Sequence, residues 1–215
     1  MGFVGKNGAG KTTTLKACMG IITLTEGDIL LDGISVVKDP IVCKRSMAYV
    51  PDTPRLEEYM TGMQYLNFVC DIYQVPSKER KQNIERLIHA FQMEPHISGL
   101  ISSYSHGMKQ KVALIAAFSH NPKLLVLDEP FVGLDPEAFI ALKEQMKMLC
   151  RKGSSVLFSS HILDVVEKLC NKISIIKDGR LLYSGTTEEL IGVEGLEEAF
   201  MELNSNESFD PSIEK

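Results

Sequence analysis

Apolar residues fall into two patterns along this chain: short continuous runs, and longer stretches repeating every three or four positions. Leu124-Leu125-Val126-Leu127 is a continuous run, the pattern of a parallel strand buried on both faces. Met47-Ala48-Tyr49-Val50, stopped by Pro51, and Val156-Leu157-Phe158 read the same way. Phe3-Val4 can end a buried strand, and Ile29-Leu30-Leu31 is a short strand bracketed by turn residues. Ile173-Ser174-Ile175-Ile176 and Leu181-Leu182-Tyr183 flank Asp178-Gly179, a pair that predicts a hairpin turn.

From 61 to 119 the period becomes helical. Tyr65, Leu66, Val69 and Ile72 share one face of a helix over 61–73, and Ile84, Leu87, Ile88 and Phe91 share one of a helix from Pro76 to 91. Ser105 is placed to cap a third helix reaching about Ser119. Further helices are expected over 13–19, over 136–151 with Gly153 as its stop, over 162–169, near 187–191 and over 196–203. The tail 204–215 is polar without an apolar period and is expected to be disordered. Strand–helix alternation on both sides of a helical stretch predicts an α/β fold. Residues 1–52 and 120–203 form the core around a mainly parallel sheet, and 53–119 form a helical insertion.

Composition narrows the partners. With 44% hydrophobic residues over 215 positions the chain can bury a real core. A net charge of −5 offers no basic footprint, so nucleic acid is not an expected partner. Cys18, Cys43, Cys70, Cys150 and Cys170 are scattered, without a C-x-x-C pair, which suits a reducing, cytoplasmic compartment rather than a disulfide or metal framework. No run reaches the ~18 apolar residues of a spanning helix. No signal peptide is expected either, because a glycine-rich loop begins at once. Any membrane association is therefore expected through a partner chain.

That loop is the chain's clearest chemistry. Gly5-Lys6-Asn7-Gly8-Ala9-Gly10-Lys11-Thr12-Thr13 fits G-x-x-x-x-G-K-[ST] between a strand and a helix. Glycines let backbone N–H groups converge on an anion, helped by the positive end of the helix. Lys11 would reach the β- and γ-phosphates, and the Thr12 hydroxyl would take a place on Mg²⁺. Asp128-Glu129 ends the run 124–127, where α/β sheets put their ligands. If that strand neighbours the one before Gly5, Asp128 can join the Mg²⁺ shell and Glu129 can polarise the attacking water. Ser105 and Gly107 open a second helix N-terminus. Taken alone, Ser105 is an ordinary helix cap and His161 a surface histidine opening a helix.

Taken as an ordered set, the motifs resemble the ATP-binding cassette (ABC) ATPases, over roughly 1–203. Leu124 to Pro130 resembles the Walker B strand, Gly133-Leu134-Asp135-Pro136 the D-loop, and Ser160-His161 the switch histidine. Tyr104-Ser105-His106-Gly107-Met108-Lys109-Gln110 is similar to the signature motif, on the insertion where that family carries it. The resemblance implies a P-loop NTPase (RecA-like) core with a helical ABC subdomain, binding ATP and Mg²⁺. It implies phosphate contacts from Gly5, Asn7, Gly8, Ala9, Gly10, Lys11, Thr12 and Thr13, and metal contacts from Thr12, Asp52 and Asp128. It makes Glu129 and His161 catalytic. Two subunits would pack head to tail, each lending Ser105, Gly107, Gln110 and Asp135 to the other's nucleotide. Tyr-Ser-x-Gly-Met-Lys-Gln most resembles bacterial ABC-2-type exporter ATPases, which drive separate integral membrane permeases from the inner face of the cell membrane. The alternatives are a soluble ABC ATPase acting on ribosomes or DNA, and a truncated, non-hydrolysing subunit.

The pattern departs from the family at three places. Asp52 follows Tyr49-Val50-Pro51 where the family has glutamine, and as a hard oxygen ligand it is expected to reach Mg²⁺ through water. His106 replaces the commonest glycine of the signature and is expected to be tolerated at the solvent side. Only Met1 to Val4 precede Gly5, so the family's N-terminal antiparallel strands and adenine-stacking aromatic are expected to be largely missing. The consequences expected are exposed apolar sheet surface and ATP binding weaker by about ten- to a hundredfold.

Overall fold

Side chains of a strand alternate between its two faces, so a run such as Leu124-Leu125-Val126-Leu127 needs apolar cover on both sides. The computed structural model, which describes residues 1–191 and 195–205, provides it. Six strands form the main sheet: β1 (Gly2–Val4), β4 (Met47–Val50), β5 (Leu124–Leu127), β6 (Ser155–Ser160), β7 (Lys172–Lys177) and β8 (Arg180–Thr186). Their order is β4-β5-β6-β1-β7-β8; the first five are mutually parallel, and β8 runs antiparallel to β7. Leu125 and Leu127 face one apolar cluster with Val4 and Phe158. Val126 faces the other, with Phe3, Met47 and Leu15 of helix α1 (Lys11–Cys18). The fold is thus a mixed α/β one built on a mainly parallel sheet.

The condition that β5 neighbour β1 is not met. β6 lies between them, pairing with Leu127 through Phe158 on one side and with Val4 through Ser160 on the other. Strand order depends on which helices cover which face, and no local pattern encodes it.

Helices α3 (Gly62–Ile72), α4 (Ser77–Ala90) and α5 (His106–Ser119) pack together, and α5 packs against β4. Thr61 caps α3 in a reciprocal pair with Gln64, and Ser105 caps α5 by accepting from Met108 N–H at 3.2 Å. The predicted hairpin forms at Asp178-Gly179, both at positive φ (49° and 76°), as a two-residue turn between twisted strands demands. Helices α6 (Pro136–Arg151), α7 (Leu163–Leu169), α8 (Thr187–Ile191) and α9 (Leu196–Ser205) follow. The last reaches two residues into the stretch expected to be disordered; the rest of that stretch, 206–215, lies outside the described residues.

The short strand expected at Ile29-Leu30-Leu31 forms as β2 (Leu30–Leu31), and it pairs in a separate two-stranded ribbon with β3 (Ile34–Ser35), which is followed by α2 (Pro40–Lys44); β3 and α2 were not anticipated. Around them Leu30, Ile34, Val37, Ile41 and Val42 are exposed.

At the end of α5, His120 stacks on Tyr73, ring centroids 3.6 Å apart and planes 8° from parallel, while Tyr73 donates to Met47 O at 3.2 Å. Burial lowers the His120 pKa to about 4, and its Nε2 has no partner among the described residues. The folded state therefore favours the neutral ring. Its contribution is present above the unfolded pKa near 6.5 and is lost as pH falls toward 4. The unfolding free energy of wild type, from urea titrations, should fall between pH 7 and 4.5 by on the order of 2–3 kcal/mol from this group. His120→Phe, which keeps the stack, should lose that component; an unchanged pH profile in the variant would refute it.

Candidate active site

β1 ends at Val4, and the chain turns through the glycine-rich loop into α1. Gly8 and Gly10 take positive φ of 83° and 107°, conformations an L-side chain resists. The N-cap of α1 is Gly10, which offers no side-chain cap, and the first i→i−4 bond is Thr14 N–H to Gly10 O at 2.9 Å. The N–H groups before Thr14 thus have no intrahelical acceptor, as at every helix start. From the other side the hairpin turn braces the loop: Gly179 N–H donates to Ala9 O at 2.9 Å. Sequence reasoning found that turn and missed its contact with the loop. Asn7, Gly8, Thr12 and Thr13 are exposed, whereas Gly5 and Ala9 are buried.

Lys11 is 7% exposed and folds back over the loop. Its Nζ donates to Gly5 O at 2.7 Å and to Lys6 O at 3.3 Å, and lies 3.6 Å from Glu129 Oε1. The other oxygen of Glu129 meets His161 Nδ1 at 2.9 Å. Lys11, Glu129 and His161 thus form one line of contacts at the ends of the neighbouring strands β1, β5 and β6. Glu129 holds φ 46°, a left-handed conformation before Pro130 that costs a residue other than Asn, Asp or Gly on the order of 1 kcal/mol.

Asp128 is buried at 1% exposure. It accepts from Ser159 Oγ at 2.5 Å, and Tyr49 OH approaches its other oxygen at 3.5 Å. Burial, and then the charges of Asp128 and Asp52, hold the Tyr49 phenol well above its usual range, so it remains a donor. Asp52 stands apart from this line: it is exposed, and its carboxylate accepts from Thr53 N–H at 2.8 Å. It lines a groove of about 870 Å³ with Pro54, Leu56, Tyr65, Val69 and Ile72.

The remaining predicted residues gather at a second place. Gly107 lies against Gly133 O, and the His106 ring sits over Gly133, so the stretch after Ser105 rests on the turn that leads to α6. Asp135 caps α6 by accepting from Ala138 N–H at 2.8 Å, and pairs with Lys111 of α5 at 2.6 Å. The Lys111 hydrogen bond, with the Ala138 amide, holds the Asp135 carboxyl below its usual range. Ser105 is exposed. Gln110 is fully buried within α5, and neither polar atom of its amide has a partner among the described residues. It does not stand at a surface where a second subunit's nucleotide would meet it. No hydrogen bond or ion pair among the described residues joins this cluster to Lys11.

A phosphate-sized anion suits the first cluster on its own terms. A helix start without a side-chain cap and a buried ammonium that, among the described residues, meets two carbonyls and one carboxylate make an anion cradle. The buried Asp128 carboxylate and the exposed Thr12 hydroxyl are hard-oxygen donors of the kind Mg²⁺ takes.

A parallel sheet carrying such a loop, with paired carboxylates at the end of β5, defines a P-loop nucleoside triphosphatase. Comparison with known proteins narrows the class. Residues 1–132 match the ABC transporter family. The chain is 36% identical over 202 residues to the ABC-type transporter ATP-binding protein EcsA of Bacillus subtilis, covering 94% of this chain and 82% of that one. It is 36% identical over 193 residues to an uncharacterized ABC transporter ATP-binding protein of Nostoc, all4389, covering 89% of this chain but 57% of that one. A solved ATP-binding subunit of an ABC transporter superposes with a TM-score of 0.91 at 35% identity, covering 94% of this chain and 87% of the other. The chain belongs to the ABC transporter family, as an ATP-binding ATPase of the kind that powers transport.

Proposed function

We propose that this chain is the ATP-hydrolysing subunit of an exporter whose membrane-spanning part is a separate chain. The observation that carries the reading is the line Lys11–Glu129–His161 at the mouth of the glycine-rich loop. Lys11 has its ammonium where β- and γ-phosphates enter, and the loop N–H groups bind the remaining oxygens. Thr12 and Asp128, with Asp52 through water, would hold Mg²⁺, which when bound would supply charge neutralisation of the phosphates. Glu129, freed from Lys11 by the incoming phosphate, accepts a proton from the attacking water. His161 holds the second Glu129 oxygen and so aims the first. Catalysis is positioning plus charge stabilisation.

The Ser105 helix start is exposed, and no hydrogen bond or ion pair among the described residues joins it to Lys11. A second copy packed head to tail would place it over the γ-phosphate held by Lys11, with Gly107 and Asp135 at the junction. The Asp52 groove, lined by Leu56, Tyr65 and Val69, suits an apolar segment of the membrane chain. No helix among the described residues is long and apolar enough to cross a membrane, which fits a subunit attached to the cytoplasmic face through such a chain. The signature variant at Tyr104–Gln110 supports the exporter subtype.

If the site is shared between two copies, phosphate release from MgATP per mole of protein should rise with protein concentration and then level off. Specific activity that stays constant from nanomolar to micromolar protein would argue against a shared site. Co-expression with the permease should bring the chain to the membrane fraction and raise the rate; cosedimentation with ribosomes instead would contradict the transport reading.

A further inference from the structure

β6 is six residues long, and its last two, Ser159 and Ser160, carry buried hydroxyls. They do different things. Ser160 Oγ accepts from Ile162 N–H at 3.0 Å, shaping the chain on the far side of His161. Ser159, with no exposed surface, points across to β5. Its Oγ donates to Asp128 Oδ1 at 2.5 Å and accepts from Glu129 N–H at 2.9 Å. A hydroxyl has one proton and two lone pairs, so both bonds form together only with the proton committed to Asp128. A single atom thereby sets the rotamer of one carboxylate and the backbone of the next residue.

The second bond matters because of where Glu129 stands. Its φ of 46° is a conformation from which an L-residue relaxes readily, and Pro130 behind it contributes no N–H to hold the turn. Among the described residues Ser159 Oγ is the acceptor given for the Glu129 amide. Remove that oxygen and the part-buried amide loses its acceptor, which frees the peptide to turn. The carboxylate would then swing from its places beside Lys11 at 3.6 Å and His161 at 2.9 Å.

We propose that Ser159 is a positioning residue for hydrolysis: its hydroxyl, hydrogen-bonded to both Asp128 and the Glu129 amide, fixes the direction in which Glu129 presents its carboxylate to water. This rests on the reading that Glu129 activates the water. Ser159 touches neither Lys11 nor the glycine-rich loop among the contacts described, so phosphate binding does not pass through it.

The test compares Ser159→Ala and Ser159→Thr with wild type, using steady-state phosphate release and calorimetric titration of ADP without divalent metal. Ser159→Ala is expected to lower kcat by about 10- to 100-fold, as displacement of a catalytic group by an ångström does. KM for ATP and the ADP affinity should stay within about twofold. Ser159→Thr, which keeps the hydroxyl on a side chain suited to a strand, should recover kcat to within about threefold of wild type. A wild-type kcat in Ser159→Ala overturns the proposal, as does a rise in KM at constant kcat. So does loss of ADP binding, which would make Ser159 a support for the whole site, and so does Ser159→Thr as slow as Ser159→Ala. A wild-type chain that binds ADP but hydrolyses nothing overturns the functional reading and this inference together, whereas an active wild type with an unaffected Ser159→Ala overturns this inference alone.

Discussion

Glu129→Gln should abolish most ATP hydrolysis while leaving nucleotide binding intact. The amide keeps the volume of the carboxylate and can still hydrogen-bond His161, but it cannot take a proton from water. Removing a positioned general base lowers rates by about 10²- to 10⁴-fold. Binding should not suffer, because the Glu129 carboxylate stands 3.6 Å from Lys11 Nζ and competes with an incoming phosphate for the same ammonium. ADP affinity in Glu129→Gln should therefore match or exceed wild type. Phosphate release and ADP titration measured on the same preparation separate the two effects. Hydrolysis within fivefold of wild type would remove Glu129 from the role of base, and a parallel loss of binding would make it a structural residue of the loop.

Gly5→Ala should damage the site more than its small size suggests. A Cβ at Gly5 would stand 2.5 Å from Ile176 O, 2.9 Å from Ile176 Cγ2 and 3.1 Å from Ala9 Cβ. The carbonyl cannot retreat, since β7 is paired on both sides, through Ile175 to Val4 of β1 and through Ile176 to Leu181 of β8. The glycine-rich loop has to move instead, carrying Ala9 and the start of α1. Overpacking of this kind costs about 1–3 kcal/mol in stability. ADP affinity should fall about a hundredfold or more, because the loop carbonyls of Gly5 and Lys6 also seat Lys11. Gly8→Ala is the contrast: nothing lies within 4 Å of its added Cβ, and only its φ of 83° opposes the change. It should cost on the order of 1 kcal/mol and weaken ADP binding by about tenfold or less. Equal effects at the two glycines would mean that the β7 contact does not shape the loop.

The sequence carried the parts of this structure that depend on local pattern. Apolar runs marked β4 and β5, helical spacing marked α3 and α4, and Asp178-Gly179 marked the hairpin. The glycine-rich loop and Asp128-Glu129 were legible because spacing and neighbours are their chemistry. What escaped depends on tertiary neighbours. Ser159 and Ser160 made the β6 run seem to end at Phe158, because a hydroxyl reads as polar until its buried partners are known. The separation of β1 from β5 was hidden for the same reason that any strand order is. Gln110 matched a motif, yet helix α5 turns it inward. Lys111, which pairs with Asp135, had no signal beyond its place one turn into the signature helix. β3 and α2 are too short for a periodicity to register.

The central claim is that the cradle around Lys11 binds a nucleoside triphosphate in this chain as it stands. Calorimetric titration of MgATP into the purified chain, with Lys11→Ala in parallel, tests it most directly. The account predicts saturable binding at one site per chain, lost in a Lys11→Ala variant that melts at the wild-type temperature. A folded wild-type chain that takes up no MgATP, or one that binds it equally well without Lys11, would contradict it.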